Sequence, residues 1–358
     1  MKSSYSQDEV ELLLKDITGL VEPLPASVRE KKIQSGVHYS EMLPLEYRPS
    51  EKYLQAYSSA LEHYSKATAE AVCRLAEKLY ARKGRDLVFV SLARAGIPIG
   101  ILLRRYLLRK YGLAVKHYAI SIIRGRGIDK NAVNYILERH RPENVQFVDG
   151  WIGKGAILTQ LEEALRDYPQ LDAELGVISD PANLTELCGT HEDILIPSSC
   201  LNATVTGLIS RTFLRGDIIG KGDFHGAAYY GELSAEDLSE QFLSSIEGFF
   251  DYGISDARAD ETAGDGSCAY NGMDIVKKIA SAYGIDDINF IKPGIGEATR
   301  VLLRRMPWKI IVNPDFSASD ELRHIYQLAD EKGVPCEISR VELGNYKVCG
   351  IIQKLADV

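Results

Sequence analysis

Apolar residues recur at helical spacing over residues 51–82 (EKYLQAYSSALEHYSKATAEAVCRLAEKLYAR), a stretch without Gly or Pro, and this predicts one long helix. From residue 87 the period changes repeatedly. LVFVSL reads as a short buried strand, 96–111 as a helix, and KHYAISI at 116–122 as a second strand. The series continues with a helix near 129–140 that Asp129 starts, a strand VQFVD at 145–149, a helix over 155–167 and a strand ELGVIS at 174–179. Such alternation predicts an α/β fold: a parallel sheet with flanking helices on both faces. Sites in these sheets lie beyond the carboxyl ends of the strands, so the loops at 91–96, 123–129 and 149–155 should share one rim. The pattern breaks at 256–272 (DARADETAGDGSCAYNG), which reads as a linker. Beyond it, 273–358 alternates again and predicts a smaller α/β sandwich domain.

The chain has 358 residues, about 45% of them hydrophobic, enough for two or three domains with real cores. Its net charge of −8 argues against a surface that coats nucleic acid, so any polyanion site must be local. Acidic residues stand in the first segment where a secretory signal needs positive charge, and no run of 18 apolar residues suits a membrane span. The six Cys (73, 188, 200, 268, 336, 349) form no C-x2-C pair, which fits a reducing, cytoplasmic setting.

Two rim loops suit phosphate groups. In VQFVDGWIGKGAI, at 145–157, Gly150, Gly153 and Gly155 let backbone amides approach an anion at a helix start, and Lys154 adds a charge. In VSLARAGIPIG, at 90–100, Ser91, Arg94 and Gly96 form a small-residue turn with a guanidinium beside it. A third loop, IIRGRGIDK, carries Arg124 and Arg126 and suits closure over a polyanion. This order of loops resembles the phosphoribosyltransferases. With GVHYSEMLPLEYRPS at 36–50 and IPSSCLNATVTGLISRT at 196–212, it resembles the family found in bacterial tellurite-resistance and stress operons, some members of which carry the label cysteine protease StiP. The resemblance covers roughly 30–255. It implies transfer of a phosphoribosyl group from phosphoribosyl pyrophosphate to a base-like acceptor, with Mg²⁺ bridging donor oxygens and held indirectly by Asp149. Asp149 would steady developing positive charge, Ser91, Arg94 and Gly96 would hold pyrophosphate, and Gly153, Lys154, Gly155 and Ala156 the 5-phosphate. Where that superfamily has two adjacent acids, this chain has Asp149-Gly150.

A hood segment outside the sheet gathers His38, Tyr39 and Glu41, suited to stacking on an acceptor and moving protons. Asn202 and Arg211 belong to a polar row suited to ligand contacts. Cys188, His191, Cys200 and His225 raise a thiol nucleophile or a metal as options; Cys188-x2-His191 is the close pair, and Cys200 is the hydrolase candidate.

In the C-terminal segment, KPGIGEATR resembles the Pelota-type RNA-binding domain, related to ribosomal proteins. Structured RNA is therefore an expected partner through Lys292, Gly294, Gly296, Glu297, Thr299, Arg300 and Arg304. The expected organisation is an arm and hood over 1–50, a phosphoribosyltransferase-like domain over 51–255, a linker, and the Pelota-type domain over 273–358. The leading expectation is a transferase; the second is a non-catalytic nucleotide or RNA sensor, and the third a cysteine hydrolase using Cys200.

Overall fold

The computed structural model describes residues 1–254 and 271–352, so most of the expected linker lies outside the described residues. The strands are β1 (Glu11–Leu12), β2 (Lys15–Asp16), β3 (Val88–Ala93), β4 (Lys116–Ile123), β5 (Gly127–Ile128), β6 (Val145–Trp151), β7 (Gly176–Ser179), β8 (Cys188–Thr190), β9 (Gly226–Ala227), β10 (Ile291–Pro293), β11 (Pro307–Val312), β12 (Cys336–Ile338) and β13 (Val348–Ile352). The helices are α1 (Ala26–Gln34), α2 (Glu51–Lys83), α3 (Gly96–Tyr111), α4 (Lys130–Leu137), α5 (Ala156–Leu165), α6 (Ser239–Glu247), α7 (Gly272–Tyr283), α8 (Ile295–Arg304) and α9 (Arg323–Glu331).

The main sheet runs β1-β4-β3-β6-β7-β8 with every neighbour parallel, and β5 folds back antiparallel on β4. Its strands are apolar almost throughout because both faces are covered. Phe89, Ala119, Val148 and Ile178 pack with α2, α3 and α6 on one side, while Val88, Val90, Phe147 and Val177 pack with α4 and α5 on the other. Each fully buried aliphatic or aromatic side chain here contributes about 1.5–3 kcal/mol relative to exposure. Asp129 caps α4 by accepting from the amides of Asn131 and Ala132, which is why the helix starts there.

The first fifty residues are more than an arm. Residues 11–12 form the edge strand of the sheet beside β4, and β2 pairs in parallel with β9. The C-terminal segment builds a second sheet, β10-β13-β11-β12, in which only β11 and β12 are parallel. Its apolar residues join the cores of the first domain: Ile295, Ala298 and Leu302 of α8 lie in one cluster, and Ile275, Val276 and Ile279 of α7 in the other.

At the far edge, β8 lies under α2. A Cβ on Gly189 would stand 2.2 Å from the carbonyl oxygen of Ala71, so glycine alone permits this approach. Gly189→Ala is expected to cost about 1–3 kcal/mol through forced separation of α2 and β8, read from urea denaturation. An unchanged midpoint would show that the contact is loose.

Candidate functional site

The rim loops assemble as the parallel sheet demands, but their polar groups are engaged within the protein. Ser91 is fully buried, with its hydroxyl 2.7 Å from His117 Nε2 and 2.9 Å from the Gly96 carbonyl. Burial holds the His117 imidazole down to about 3, so the pair is neutral. The expected role of Ser91 on a ligand is corrected: its hydroxyl points into the core. Gly96 serves packing, since a Cβ there would meet the Val148 carbonyl oxygen at 2.6 Å. Arg94 donates to the Ile209 carbonyl and to Asn202 Oδ1, and lies 3.5 Å from Glu46.

The Gly-rich turn is closed by the second domain. Lys154 Nζ donates to the Ile288 carbonyl at 2.6 Å, and the Gly153 carbonyl accepts from the Tyr346 hydroxyl at 2.6 Å. Burial, with Lys292 and Arg124 nearby, lowers the Lys154 ammonium to about 8. Gly155, at φ +88°, caps α5 ahead of Ala156, and a Cβ on it would strike Leu184. Asp149 accepts from the Gly150 amide, and burial raises its carboxyl to about 7. Among the described residues no three His, Cys, Asp or Glu side chains gather as a metal site.

The hood and the basic loop do meet. Tyr39 hydroxyl accepts from the Arg124 amide, His38 Nε2 lies 3.2 Å from the Arg124 carbonyl, and Glu41 pairs with Arg126 at 2.5 Å. Arg211 lies over the Tyr39 ring, and burial with Arg29 and Arg94 beside it lowers its guanidinium to about 10.

The row of residues expected on RNA faces the first domain. Asn202 Oδ1 accepts from Arg304 as well as Arg94, and Arg304 also donates to the Ser199 carbonyl. Arg300 pairs with Glu297 and lies over Trp151; Thr299 is fully buried and donates to the Ile295 carbonyl. Lys292, Gly294 and Gly296 are buried or half-buried in the same seam.

Of the five cysteines among the described residues, Cys73, Cys188, Cys200 and Cys349 are buried and Cys336 is exposed. Burial pushes Cys200 up to about 12, its Sγ meets the Ala56 carbonyl, and His225 is engaged elsewhere, with Nδ1 2.9 Å from Ser121 Oγ. Cys73 rises to about 11 and Cys349 to about 12 for the same reason; Cys268 lies outside the described residues. Cys188, at the start of β8, has Sγ 3.4 Å from His191 Nε2 and 3.7 Å from Nδ1. His191 Nδ1 in turn lies 3.0 Å from the Asp180 carbonyl and 3.9 Å from its carboxylate. A proton on Nδ1 donated to that carbonyl leaves the Nε2 lone pair for the thiol. Asp180 is itself fixed, accepting from the amides of Leu184 and Thr185. Of these three, sequence spacing had brought forward Cys188 and His191; Asp180, eight residues upstream of the cysteine, carried no motif.

Residues 3–247 match the family model described as tellurite-like stress resistance cysteine protease StiP. The chain belongs to this family. Residues 270–354 match the PELOTA RNA binding domain. A relative from Acinetobacter baylyi (strain ATCC 33305 / BD413 / ADP1), named cysteine protease StiP, is 35% identical over 379 aligned residues, spanning 98% of this chain and 94% of the relative. The resemblance to the stress-operon family and to the Pelota domain therefore holds, whereas its placement among phosphoribosyltransferases does not. The relative's name overturns the transferase expectation, and with it the phosphoribosyl donor, the base-like acceptor and the magnesium-dependent chemistry. It agrees with the third option, a cysteine hydrolase. No helix among the described residues is long and apolar enough to cross a membrane.

Asp149 supplies a pH test. Its folded carboxyl titrates near 7 against an ordinary value of 3.8, so between those values the folded state holds more protons than the unfolded, and stability falls as pH rises. Asp149→Asn is expected to remove this slope and to stabilise the protein at pH 8 by on the order of 1–3 kcal/mol, measured by urea denaturation across pH. Parallel pH profiles for the two proteins would contradict the assignment.

Proposed function

We propose that the chain is a thiol-dependent peptide hydrolase with Cys188 as nucleophile, His191 as base and Asp180 behind it. The observation that carries this is the 3.4 Å contact from Cys188 Sγ to His191 Nε2, with Nδ1 directed at Asp180. The family's description supports the class of reaction, and the contact with His191 favours Cys188 among the described cysteines. Cys188 is itself 1% exposed, and the His191 side chain beside it is 37% exposed.

In the reaction, Nε2 takes the thiol proton and the sulfur attacks the peptide carbonyl carbon, forming a C–S bond. The C–N bond then breaks as His191 returns the proton to the leaving amine. Water adds to the thioester with His191 again taking a proton, and the carboxylate leaves with the thiol restored. The Asp180 carbonyl holds the ring in the productive tautomer.

The C-terminal domain is proposed to bind structured RNA, supported by its Pelota match and by Lys292, Arg300 and Arg304 in one segment. Arg300→Glu should weaken binding of a labelled hairpin RNA by at least about tenfold at low salt, with affinity falling as salt rises; equal binding would contradict the assignment.

For the hydrolase, release of dye from a quenched casein substrate by the full chain is the direct test. Cys188→Ala and His191→Ala are expected to lose at least about a hundredfold in rate, while Cys200→Ala keeps the parent rate. Loss with Cys200→Ala and retention with Cys188→Ala would reverse the assignment.

A further inference from the structure

The segment matched to an RNA-binding domain presents its basic row inward. Lys292 through Arg304 are buried or half-buried residues, although the Arg300 side chain keeps 39% of its surface exposed, and Arg305 is the first exposed residue after them. What covers them is the first domain. A Cβ on Gly294 would stand 3.1 Å from Asp193 Oδ1, one on Gly296 would stand 3.6 Å from Ser199 Oγ, and one on Gly153 would stand 3.6 Å from Glu297 Cγ. Arg304, with Nε buried and unpartnered, spends its other donors on Asn202 and Ser199. A small cavity in this part of the seam is lined by Trp151, Gly153, Ser179, Asp193, Ser199 and Gly296.

Asp193 stands where a phosphate oxygen would. Its carboxylate, 3% exposed, accepts from the Ile295 amide that opens α8 at 2.9 Å and 3.1 Å, and from the Lys347 amide at 2.9 Å. An anion held by backbone amides at a helix start is the arrangement that suits a phosphate group. Here the first domain provides that acceptor from its own chain, a carboxyl that burial raises to about 7.

The closed seam also carries a charge cost. It sets Arg94 and Arg211 of the first domain near Arg300, Arg304 and Arg305, with Glu46 as a compensating acid. Burial and these like charges lower both Arg211 and Arg304 to about 10. Apolar packing of Ile295, Ala298 and Leu302 holds it shut, so two opposing effects of similar kind decide whether it opens.

We propose that the first domain masks the RNA-binding face of the C-terminal domain, and that RNA binds when the seam opens and the Asp193 carboxylate leaves the start of α8. The proposal rests on the RNA-binding reading of that domain. It makes the resting chain a weak RNA binder whose apparent affinity is reduced by the fraction of time the seam stays closed.

The test uses the full chain and a fluorescein-labelled hairpin RNA at low salt. Asp193→Ala removes the substitute acceptor. Lys154→Met removes the bond to Ile288, and Tyr53→Phe removes the hydroxyl that donates to the Leu303 carbonyl; both lie in the first domain and keep the fold if Asp193→Ala does not. Each folded variant is expected to bind RNA at least about tenfold more tightly than the parent. RNA added to the parent should speed amide exchange over residues 191–202, the first-domain side of the seam. If the parent already binds as tightly as the variants, and Arg300→Glu abolishes that binding, the domain binds RNA but is not masked. If RNA instead slows exchange over 191–202 and Arg94→Ala weakens binding, RNA sits in the closed seam and masking is overturned. If neither the parent nor any variant binds, both masking and the RNA-binding reading fall.

Discussion

The approach of β8 to α2 is the constraint on which the thiol site depends. Gly189 lets the strand edge come within backbone contact of Ala71, and Lys78 of the same helix donates to the Cys188 carbonyl at 3.0 Å. The strand is thereby held in register beside β7, with Val177 opposite Cys188 and Ser179 opposite Thr190. The turn after β8 then brings His191 back over the sulfur, while the end of β7 delivers Asp180 to the far side of the ring. Asp180 and His191 follow the ends of two adjacent parallel strands on the same side of the sheet, and the three-residue length of β8 keeps Cys188, its first residue, within reach of the ring.

The same sheet explains the seam. Helices α7 and α8 of the C-terminal domain pack into the two cores on either side of it, so the second domain is mounted on the first by burial of apolar surface. Polar contacts add direction: Lys154 to Ile288, Tyr346 to Gly153, and Asp193 to the start of α8. These contacts account for why loops that read as phosphate cradles serve as docking points between domains.

Much of the first domain was legible because strands buried on both faces appear as unbroken apolar runs, and β3, β4, β6 and β7 are of that kind. Helix α2 was legible from its length and period. The short strands were not: CGT in β8 and the two-residue β1 are placed by neighbours rather than by their own pattern. Site chemistry was legible only in part. Residue types marked Ser91 and Lys154 as ligand-facing, yet partners distant in the chain, His117 and the Ile288 carbonyl, take up their polar groups. Cys200 and Cys188 look alike in composition and both lie in buried apolar clusters, and only the tertiary structure shows that Cys188 also touches an imidazole. That the basic row of α8 turns inward is a tertiary fact with no local signal.

The most direct measurement of the thiol site is the rate of alkylation of each cysteine by iodoacetamide in the native chain at neutral pH, followed by peptide mapping. The account predicts that Cys188 is modified faster than the equally buried Cys73, Cys200 and Cys349, and that His191→Ala slows Cys188 alone. A Cys188 that reacts no faster than those three, or at a rate indifferent to His191, would contradict it.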